Sequence, residues 1–270
     1  MCSDFAGRAM ASLAAVFIYS VATVSAFADQ VTPVAVPTRC DTALDLTRFH
    51  VPLKRVSHKI AAQEPITIVA IGSSSTAGAG ASSPDNSYPS RLGVELRTLF
   101  PGRAFTIINK GVNGEEVGDM LRRFDDAVIA YKPDLVLWQL GTNSLIRDHE
   151  FGGNRGASIR EGLTKIRAIG ADIVLVDPQY APKVVAKPKA VAMVNFLSAF
   201  GREEGVAVFR RFHVMKRWAE TERLPFSAFI TPDDLHLNDW GYGCMAKGLG
   251  LAIADAVKRP IVAAETTATR

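Results

Sequence analysis

The chain has 270 residues, of which 48% are hydrophobic and 21% are charged. This composition is typical of a globular protein and excludes a fibrous, low-complexity or largely disordered chain. The formal net charge of +4 is small. The basic residues are spread along the sequence without interleaved aromatic residues, which argues against a nucleic-acid-binding protein.

The first 28 residues have the features of a secretory signal peptide. Arg8 precedes an apolar stretch over residues 9–26, and the Ala-Phe-Ala sequence at residues 26–28 matches a small-x-small cleavage site. We therefore predict cleavage after Ala28 and a periplasmic or secreted mature protein with no stable membrane insertion. An uncleaved membrane anchor is the alternative, because the apolar stretch is close to the length that spans a bilayer.

The cysteines are interpreted in the light of this cleavage. Cys2 leaves with the signal peptide, so Cys40 and Cys244 remain as an even pair in an oxidising compartment. A disulfide between them is one interpretation, and two unrelated buried thiols are the other. The sequence has no Cys-x-x-Cys or His-x-x-x-His pattern, so we predict no metal site.

The mature chain divides into three parts. Residues 29–60 contain three prolines and show no clear periodicity, which predicts an N-terminal extension lying over the main domain. Residues 61–258 form that domain, and residues 259–270, rich in Ala and Thr, form a flexible tail.

Within the main domain, short β-branched runs alternate with longer amphipathic ones, the pattern of a parallel sheet covered by helices. Five runs predict buried strands, at residues 66–71, 105–108, 134–140, 172–176 and 206–209. Apolar residues at helical spacing predict helices that include residues 92–99, 193–200 and 249–257. Sheets of this kind bind ligands at the carboxyl ends of their strands, so the loops there are the candidates for function.

A loop rich in glycine and serine, residues 72–80, follows the first strand. It lacks both the Gly-x-x-x-x-Gly-Lys pattern and the Gly-x-Gly-x-x-Gly spacing of nucleotide-binding loops. A serine nucleophile on a turn at a strand end is the better interpretation, provided that a base and an acid lie elsewhere in the sequence.

Glycine-containing loops also follow the second and third strands, at residues 109–115 and 141–144. A glycine after a buried strand can direct a backbone N–H toward a cleft, and Asn143 can add a side-chain amide. Such donors together can form an oxyanion hole.

Asp233 and His236 precede the last predicted helix. An aspartate three residues before a histidine can accept the Nδ1–H of the imidazole while Nε2 faces a nucleophile. The other four histidines have no acidic partner at this spacing ahead of a helix: His50, His58, His149 and His213.

These four blocks, in this order, resemble those of the SGNH hydrolases, also called the GDSL esterase/lipase superfamily. The family's Gly-Asp-Ser block is similar to residues 72–74, its glycine block to 109–114, its Gly-x-Asn block to 141–143 and its Asp-x-x-His block to 233–236. The resemblance covers about residues 65–258. Ser73 stands where the family has aspartate, which brings into question the rigidity of the loop more than the chemistry.

The resemblance implies a three-layer α/β/α sandwich with a five-stranded, flavodoxin-like parallel sheet and no cofactor or metal. It implies Ser74 as the nucleophile, His236 as the general base and then acid, and Asp233 as the residue that orients the histidine. The oxyanion hole would consist of the N–H groups of Ser74 and Gly114 together with the Asn143 amide.

The expected function is that of an exported serine esterase acting on short acyl esters, with O-acetylated polysaccharide as the leading substrate class. The mildly basic surface and the lack of a lid-like apolar insertion favour small acyl groups on polar carriers. Lysophospholipase and thioesterase activities are alternatives. So are an O-acyltransferase acting on envelope or extracellular polysaccharide and a catalytically silent carbohydrate-binding module. The oligomeric state stays open.

Overall fold

The computed structural model describes residues 39–40, 42–149 and 154–259 of the chain. The predicted signal peptide at residues 1–28, residues 29–38 of the predicted extension and residues 260–270 of the predicted tail lie outside the described residues. The described part nevertheless contains every block that the sequence analysis singled out.

The described residues form a sheet of five parallel strands in the order β2-β1-β3-β4-β5. The strands are β1 (Ile66–Gly72), β2 (Phe105–Gly111), β3 (Leu135–Gln139), β4 (Asp172–Val176) and β5 (Ala207–Phe209). This order is that of the flavodoxin-like sheets, so the predicted α/β fold is confirmed. β2 extends beyond its predicted end because it is an edge strand, where the polar Asn109 and Lys110 still pair with β1.

Both faces of the sheet are buried, which explains the nearly continuous apolar composition of its strands. In β1, Ile68 and Ala70 point into one hydrophobic core, whereas Val69 and Ile71 point into a second core on the opposite face. The other inner strands divide in the same alternating way. Helices cover both cores, so the predicted three-layer arrangement is confirmed.

The described helices alternate with the strands along the chain. They are α1 (Leu44–Thr47), α2 (Lys54–Ala61), α3 (Ser74–Ala77), α4 (Tyr88–Leu99), α5 (Val117–Arg122), α6 (Phe124–Ala127), α7 (Thr142–Ile146), α8 (Asn154–Ala168), α9 (Pro182–Val185), α10 (Ala190–Glu204), α11 (Arg211–Glu220) and α12 (Asp239–Lys258). α2, α4, α11 and α12 cover the first core, and α5, α6, α8 and α10 cover the second. Across the described residues, none of the helices is long and apolar enough to cross a membrane.

The second half of the predicted extension is helical, which the sequence analysis missed. α2 buries Val56, and Ile60, one turn later, packs partly buried against the first core, so the helix has a short apolar face. Long-range hydrogen bonds also hold it: the Val56 N–H donates to Asp172 Oδ2 at 2.9 Å, and Arg55 Nε donates to Asp134 Oδ1 at 2.9 Å. The predicted boundary after residue 60 falls within α2, which ends at Ala61.

Cys40 and Cys244 form a disulfide that joins the start of the described chain to α12. Their Cα atoms are 5.4 Å apart, a normal separation for a disulfide, and the two cysteines are 204 residues apart in sequence. The sequence left open a disulfide or two unrelated buried thiols, and the structure has the disulfide. In the chain-entropy model, closing so long a loop stabilises the fold by about 5 kcal/mol.

The disulfide gives a first prediction. Replacing both Cys40 and Cys244 by serine should lower the free energy of unfolding by roughly 2 to 5 kcal/mol, because the unfolded chain regains its loop entropy. Denaturant unfolding of the variant and the parent protein measures this difference. Two freely titrating thiols in the unreduced, denatured parent protein would contradict the pairing.

Candidate active site

The turn that follows β1 exposes one of three consecutive serines. The chain passes from Gly72, the last residue of β1, directly into the single turn of α3. A Cβ at Gly72 would lie 2.2 Å from Thr76 Oγ1, so only glycine allows this tight return. Ser73 and Ser75 are 2% and 1% exposed, whereas Ser74 is partly exposed.

The two buried serines anchor the turn. The backbone N–H and the hydroxyl of Ser73 both donate to Gln139 Oε1, each at 2.9 Å. Gln139 is the buried last residue of β3, so this contact ties the turn to the neighbouring strand. Ser75 is hydrogen-bonded to the hydroxyl of Tyr242, which itself donates to the Ala79 carbonyl at 2.6 Å. Gln139 therefore fixes the loop at the position where the family has aspartate. Sequence reasoning overlooked this role of Gln139.

The loop before α12 brings a histidine to Ser74. His236 Nε2 lies 2.8 Å from Ser74 Oγ, and His236 Nδ1 lies 2.5 Å from Asp233 Oδ2. An ionised carboxylate only accepts hydrogen bonds, so Nδ1 carries the proton and Nε2 is left as the acceptor for the Ser74 hydroxyl. The structure thus brings together the three residues that the sequence analysis named as a triad.

The Asp233 carboxylate is fixed by its own loop. Its Oδ1 accepts the backbone N–H groups of Leu235 and His236, each at 2.9 Å, and the hydroxyl of Thr231 at 2.7 Å. Partial burial alone would raise the pKa of Asp233, but the hydrogen bonds from the His236 ring and these other donors hold that pKa well below its usual range. The carboxylate therefore stays ionised and keeps the imidazole in one orientation.

The three predicted oxyanion donors follow three strands: Ser74 follows β1, Gly114 follows β2 and Asn143 follows β3. Asn143, in α7, donates its side-chain amide to the Glu115 carbonyl at 2.8 Å, which fixes α7 against the loop that contains Gly114. Gly114 has a φ of +79°, a backbone conformation that favours glycine. Within the described part of the chain, the backbone N–H groups of Ser74 and Gly114 donate to no protein acceptor.

Asn109, in the second block, is exposed and makes supporting contacts to the neighbouring backbone. Its Nδ2 donates to the Thr76 carbonyl at 2.7 Å, and its Oδ1 accepts the Gly111 N–H at 2.9 Å. A Cβ at Gly111 would lie 2.1 Å from the Ala77 nitrogen, so glycine is required where β2 meets α3.

A polar cluster beside Gly114 escaped the sequence analysis. Glu116 accepts hydrogen bonds from Arg147 at 2.8 Å and from Ser144 at 2.7 Å, and it contacts the ring of His149. Burial would raise the pKa of Glu116, but the bonds from Arg147, Ser144 and His149 lower it to about 2. The spacing of Glu116 and Asp119, which form a capping box at α5, was the available signal.

In residues 39–40, 42–149 and 154–259, no group of three or more His, Cys, Asp or Glu side chains is arranged to hold a metal ion.

Similar folds occur in esterases. A two-domain esterase active on acetylated mannans matches with a TM-score of 0.64 and 20% identity, over 79% of this chain and 56% of that chain. An acetylxylan esterase from Geobacillus stearothermophilus matches with a TM-score of 0.59 and 19% identity, over 70% of this chain and 94% of that chain. That structure is a catalytic mutant in which a serine is replaced by alanine, and another structure of the same enzyme is a catalytic mutant with a histidine replaced.

The sequence comparison agrees with the fold. An acetylxylan esterase from Geobacillus stearothermophilus is 28% identical over 94 residues, which are 32% of this chain and 43% of that enzyme. The aligned region thus spans less than half the length of this curated relative.

The family follows from a match over most of the chain. The model of the Non-GDSL lipase-like family matches residues 39–259, and the chain belongs to this family. A G-D-S-L family protein from Desulfitobacterium hafniense has a similar fold, with a TM-score of 0.52 and 20% identity over 69% of this chain and 99% of that chain. The predicted relationship to the SGNH hydrolases is confirmed.

The bracing of the turn gives a second prediction. Gln139→Leu leaves two buried donors of Ser73 without an acceptor and should lower the free energy of unfolding by about 2 kcal/mol or more. Ser73→Ala removes one donor and leaves the backbone N–H bonded, so it should cost only about 1 kcal/mol. Denaturant unfolding of both variants measures the difference, and equal costs would show that Gln139 does not hold the turn.

Proposed function

We propose that this chain is an exported carboxylic ester hydrolase that removes short acyl groups, in particular O-acetyl groups of polysaccharides. The observation that carries the proposal is the hydrogen-bonded line from Ser74 Oγ to His236 Nε2, at 2.8 Å, and from His236 Nδ1 to Asp233 Oδ2, at 2.5 Å. A hydroxyl, an imidazole and a carboxylate in this order form the arrangement that activates a serine nucleophile.

In the proposed mechanism, Ser74 Oγ attacks the ester carbonyl while its proton moves to His236 Nε2. The resulting imidazolium is stabilised by Asp233 and then donates the proton to the leaving alcohol as the C–O bond breaks. A water molecule next gives one proton to His236 and attacks the acyl-enzyme. The acid leaves as Ser74 Oγ takes the proton back.

The negative charge on the carbonyl oxygen needs donors that are not already used. The N–H groups of Ser74 and Gly114 have no protein acceptor within the described residues, which supports their proposed role in the oxyanion hole. Asn143 uses one amide hydrogen on the Glu115 carbonyl and has a second hydrogen for the oxyanion. Loss of one such donor typically lowers the rate on the order of 100-fold or more.

The substrate class rests on two lines of support. Two of the similar esterases act on acetylated mannans or acetylated xylan, both of them polysaccharides with pendant acetyl groups. The Asp233 side chain is 45% exposed, and Pro232 and Asp234 beside it are exposed. An acetyl group on a bulky polymer can reach a serine at such an open edge.

Export is supported by the sequence of residues 1–28 and by the disulfide between Cys40 and Cys244. Disulfides persist in oxidising compartments and are rare in the bacterial cytosol. A periplasmic or secreted location also suits an enzyme that acts on a polymer outside the cell.

A third prediction concerns the nucleophile. Ser74→Ala should lower kcat on the order of 10⁴-fold or more, because no acyl-enzyme can form. The matched control is Ser75→Ala, which loses a buried hydrogen bond to Tyr242 but should keep most of the activity. Labelling with a fluorophosphonate followed by peptide mass mapping identifies the reactive serine. A label on Ser73 or Ser75 would refute the assignment.

A fourth prediction concerns the acyl group. Acetyl and butyryl esters of p-nitrophenol should be hydrolysed faster than the octanoyl ester, and acetate should be released from acetylated mannan or xylan. The Ser74→Ala variant is the control for spontaneous hydrolysis. A clear optimum at octanoate would favour a lipase, and transfer of acetyl to an added sugar in preference to water would favour an acyltransferase.

A further inference from the structure

Gln179 connects the two loops that contribute to the proposed active site. It follows β4 and is 1% exposed, and its hydrogen bonds among the described residues go to groups other than Ser74, His236 and Asp233. Its Oε1 accepts the hydroxyl of Thr142 at 2.8 Å, and its Nε2 donates to the Leu235 carbonyl at 3.3 Å. Thr142 directly precedes Asn143, and Leu235 directly precedes His236. One side-chain amide thus bridges the helix of the oxyanion residue and the loop of the histidine.

The orientation of this amide is imposed by Arg211. The guanidinium of Arg211 is completely buried, and its Nη2 donates to Gln179 Oε1 at 2.9 Å. Its Nε donates to the Asp177 carbonyl at 2.8 Å. Because a guanidinium can only donate, the amide oxygen of Gln179 must face Arg211, and the amide nitrogen must then face Leu235. A flipped amide would place the Gln179 Nε2 donor against the Arg211 donor and the Gln179 oxygen against the Leu235 carbonyl oxygen.

Burying the Arg211 guanidinium carries a large desolvation penalty. Among the described residues, its Nη1 has no hydrogen-bond partner, although the atom is buried. Replacing buried ionic groups by apolar ones often leaves stability unchanged or raises it, so stability alone does not account for Arg211. Fixing the direction of a neighbouring polar group is a role that an apolar side chain could not perform.

We propose that Gln179, oriented by Arg211, is a positioning residue that sets His236 relative to the oxyanion donor Asn143. The inference rests on the proposed function, because it assigns those two residues their roles. Without the Gln179 side chain, α7 and the His236 loop lose the hydrogen bonds that connect them. The distance between His236 and Asn143 is then no longer fixed. Misplacement by a fraction of an ångström to an ångström lowers kcat by about 10- to 100-fold.

The informative variant is Gln179→Glu. Glutamate keeps the size of the side chain, accepts from Thr142 and Arg211, and adds an ion pair with Arg211, but its ionised form cannot donate to the Leu235 carbonyl. A merely structural role predicts an unchanged kcat per folded molecule. A positioning role predicts that kcat on p-nitrophenyl acetate falls at least 10-fold while KM changes less than about threefold. Burst titration with a fluorophosphonate counts the active sites on which kcat is based.

A second pair of variants tests the same bridge from its other end. Thr142→Val removes the hydroxyl donated to Gln179 and should lower kcat, whereas Thr142→Ser keeps the hydroxyl and should rescue the rate. Thr47→Val is the matched control, because Thr47, in α1, is also a buried threonine and its hydroxyl donates to the Leu44 carbonyl of its own helix. It should retain kcat even where it lowers the unfolding midpoint.

The outcomes separate the two proposals. A folded Gln179→Glu protein with kcat within about twofold of the parent overturns the positioning role. If that variant does not fold, equal kcat values for Thr142→Val and Thr142→Ser overturn it instead. If the parent protein hydrolyses no ester, the proposed function fails. The rate at which the fluorophosphonate labels Ser74 in each variant then still decides whether Gln179 positions His236.

Discussion

The site depends on the register of the parallel sheet, which brings the carboxyl ends of neighbouring strands to one edge. Gly72 at the end of β1 pairs with Gly111 of β2, and Gln139 at the end of β3 pairs with Val176 of β4. The residues that follow these strands must therefore meet, whatever their separation in sequence. At this edge, between β1 and β3, the connection that leaves β1 and the connection that leaves β3 run in opposite directions along the sheet. Open α/β sheets bind ligands at such a position.

Two glutamines at this edge show how the loops are fixed. Gln139 ends β3 and Gln179 follows β4, and each uses its Oε1 as an acceptor shared by more than one donor. An amide oxygen can hold two donors without a buried charge, so it joins loops without the desolvation penalty of a carboxylate. Ser73 suits this arrangement because its hydroxyl donates to Gln139, whereas an aspartate at that position would set a second acceptor against Oε1. In this chain the Ser73 hydroxyl and the Gln139 amide oxygen therefore complement each other at the position where the Gly-Asp-Ser block has aspartate.

The strands and the triad could be predicted because their signals are local. β-branched runs such as that of β1 reveal buried strands, and the spacing of Asp233 and His236 within one loop reveals a base and its partner. Gln139, Gln179 and Arg211 could not be found in this way. The contacts of Gln179 join residues 37, 56 and 32 positions apart, and no periodicity or short motif encodes such distances. α2 was missed in part for a related reason, since its apolar face is short and its hydrogen bonds run to the distant Asp134 and Asp172.

In the histidine loop, Asp233 is held by hydrogen bonds from the loop itself, whereas the position of His236 depends on contacts with the rest of the fold. Asp233 obtains its donors from its own loop, so its orientation survives at an exposed position. His236 reaches Ser74 because its loop packs closely against the segment that follows α3. A Cβ at Gly80 would lie 2.5 Å from the Leu237 carbonyl, and Tyr242 donates to Ala79 at 2.6 Å. Cys244 lies in the same helix as Tyr242, so the disulfide restrains α12 directly after the loop that it supports. The packing of α12 therefore keeps His236 aligned with Ser74, through contacts such as the Tyr242 hydrogen bond and the disulfide that lie away from the reacting atoms.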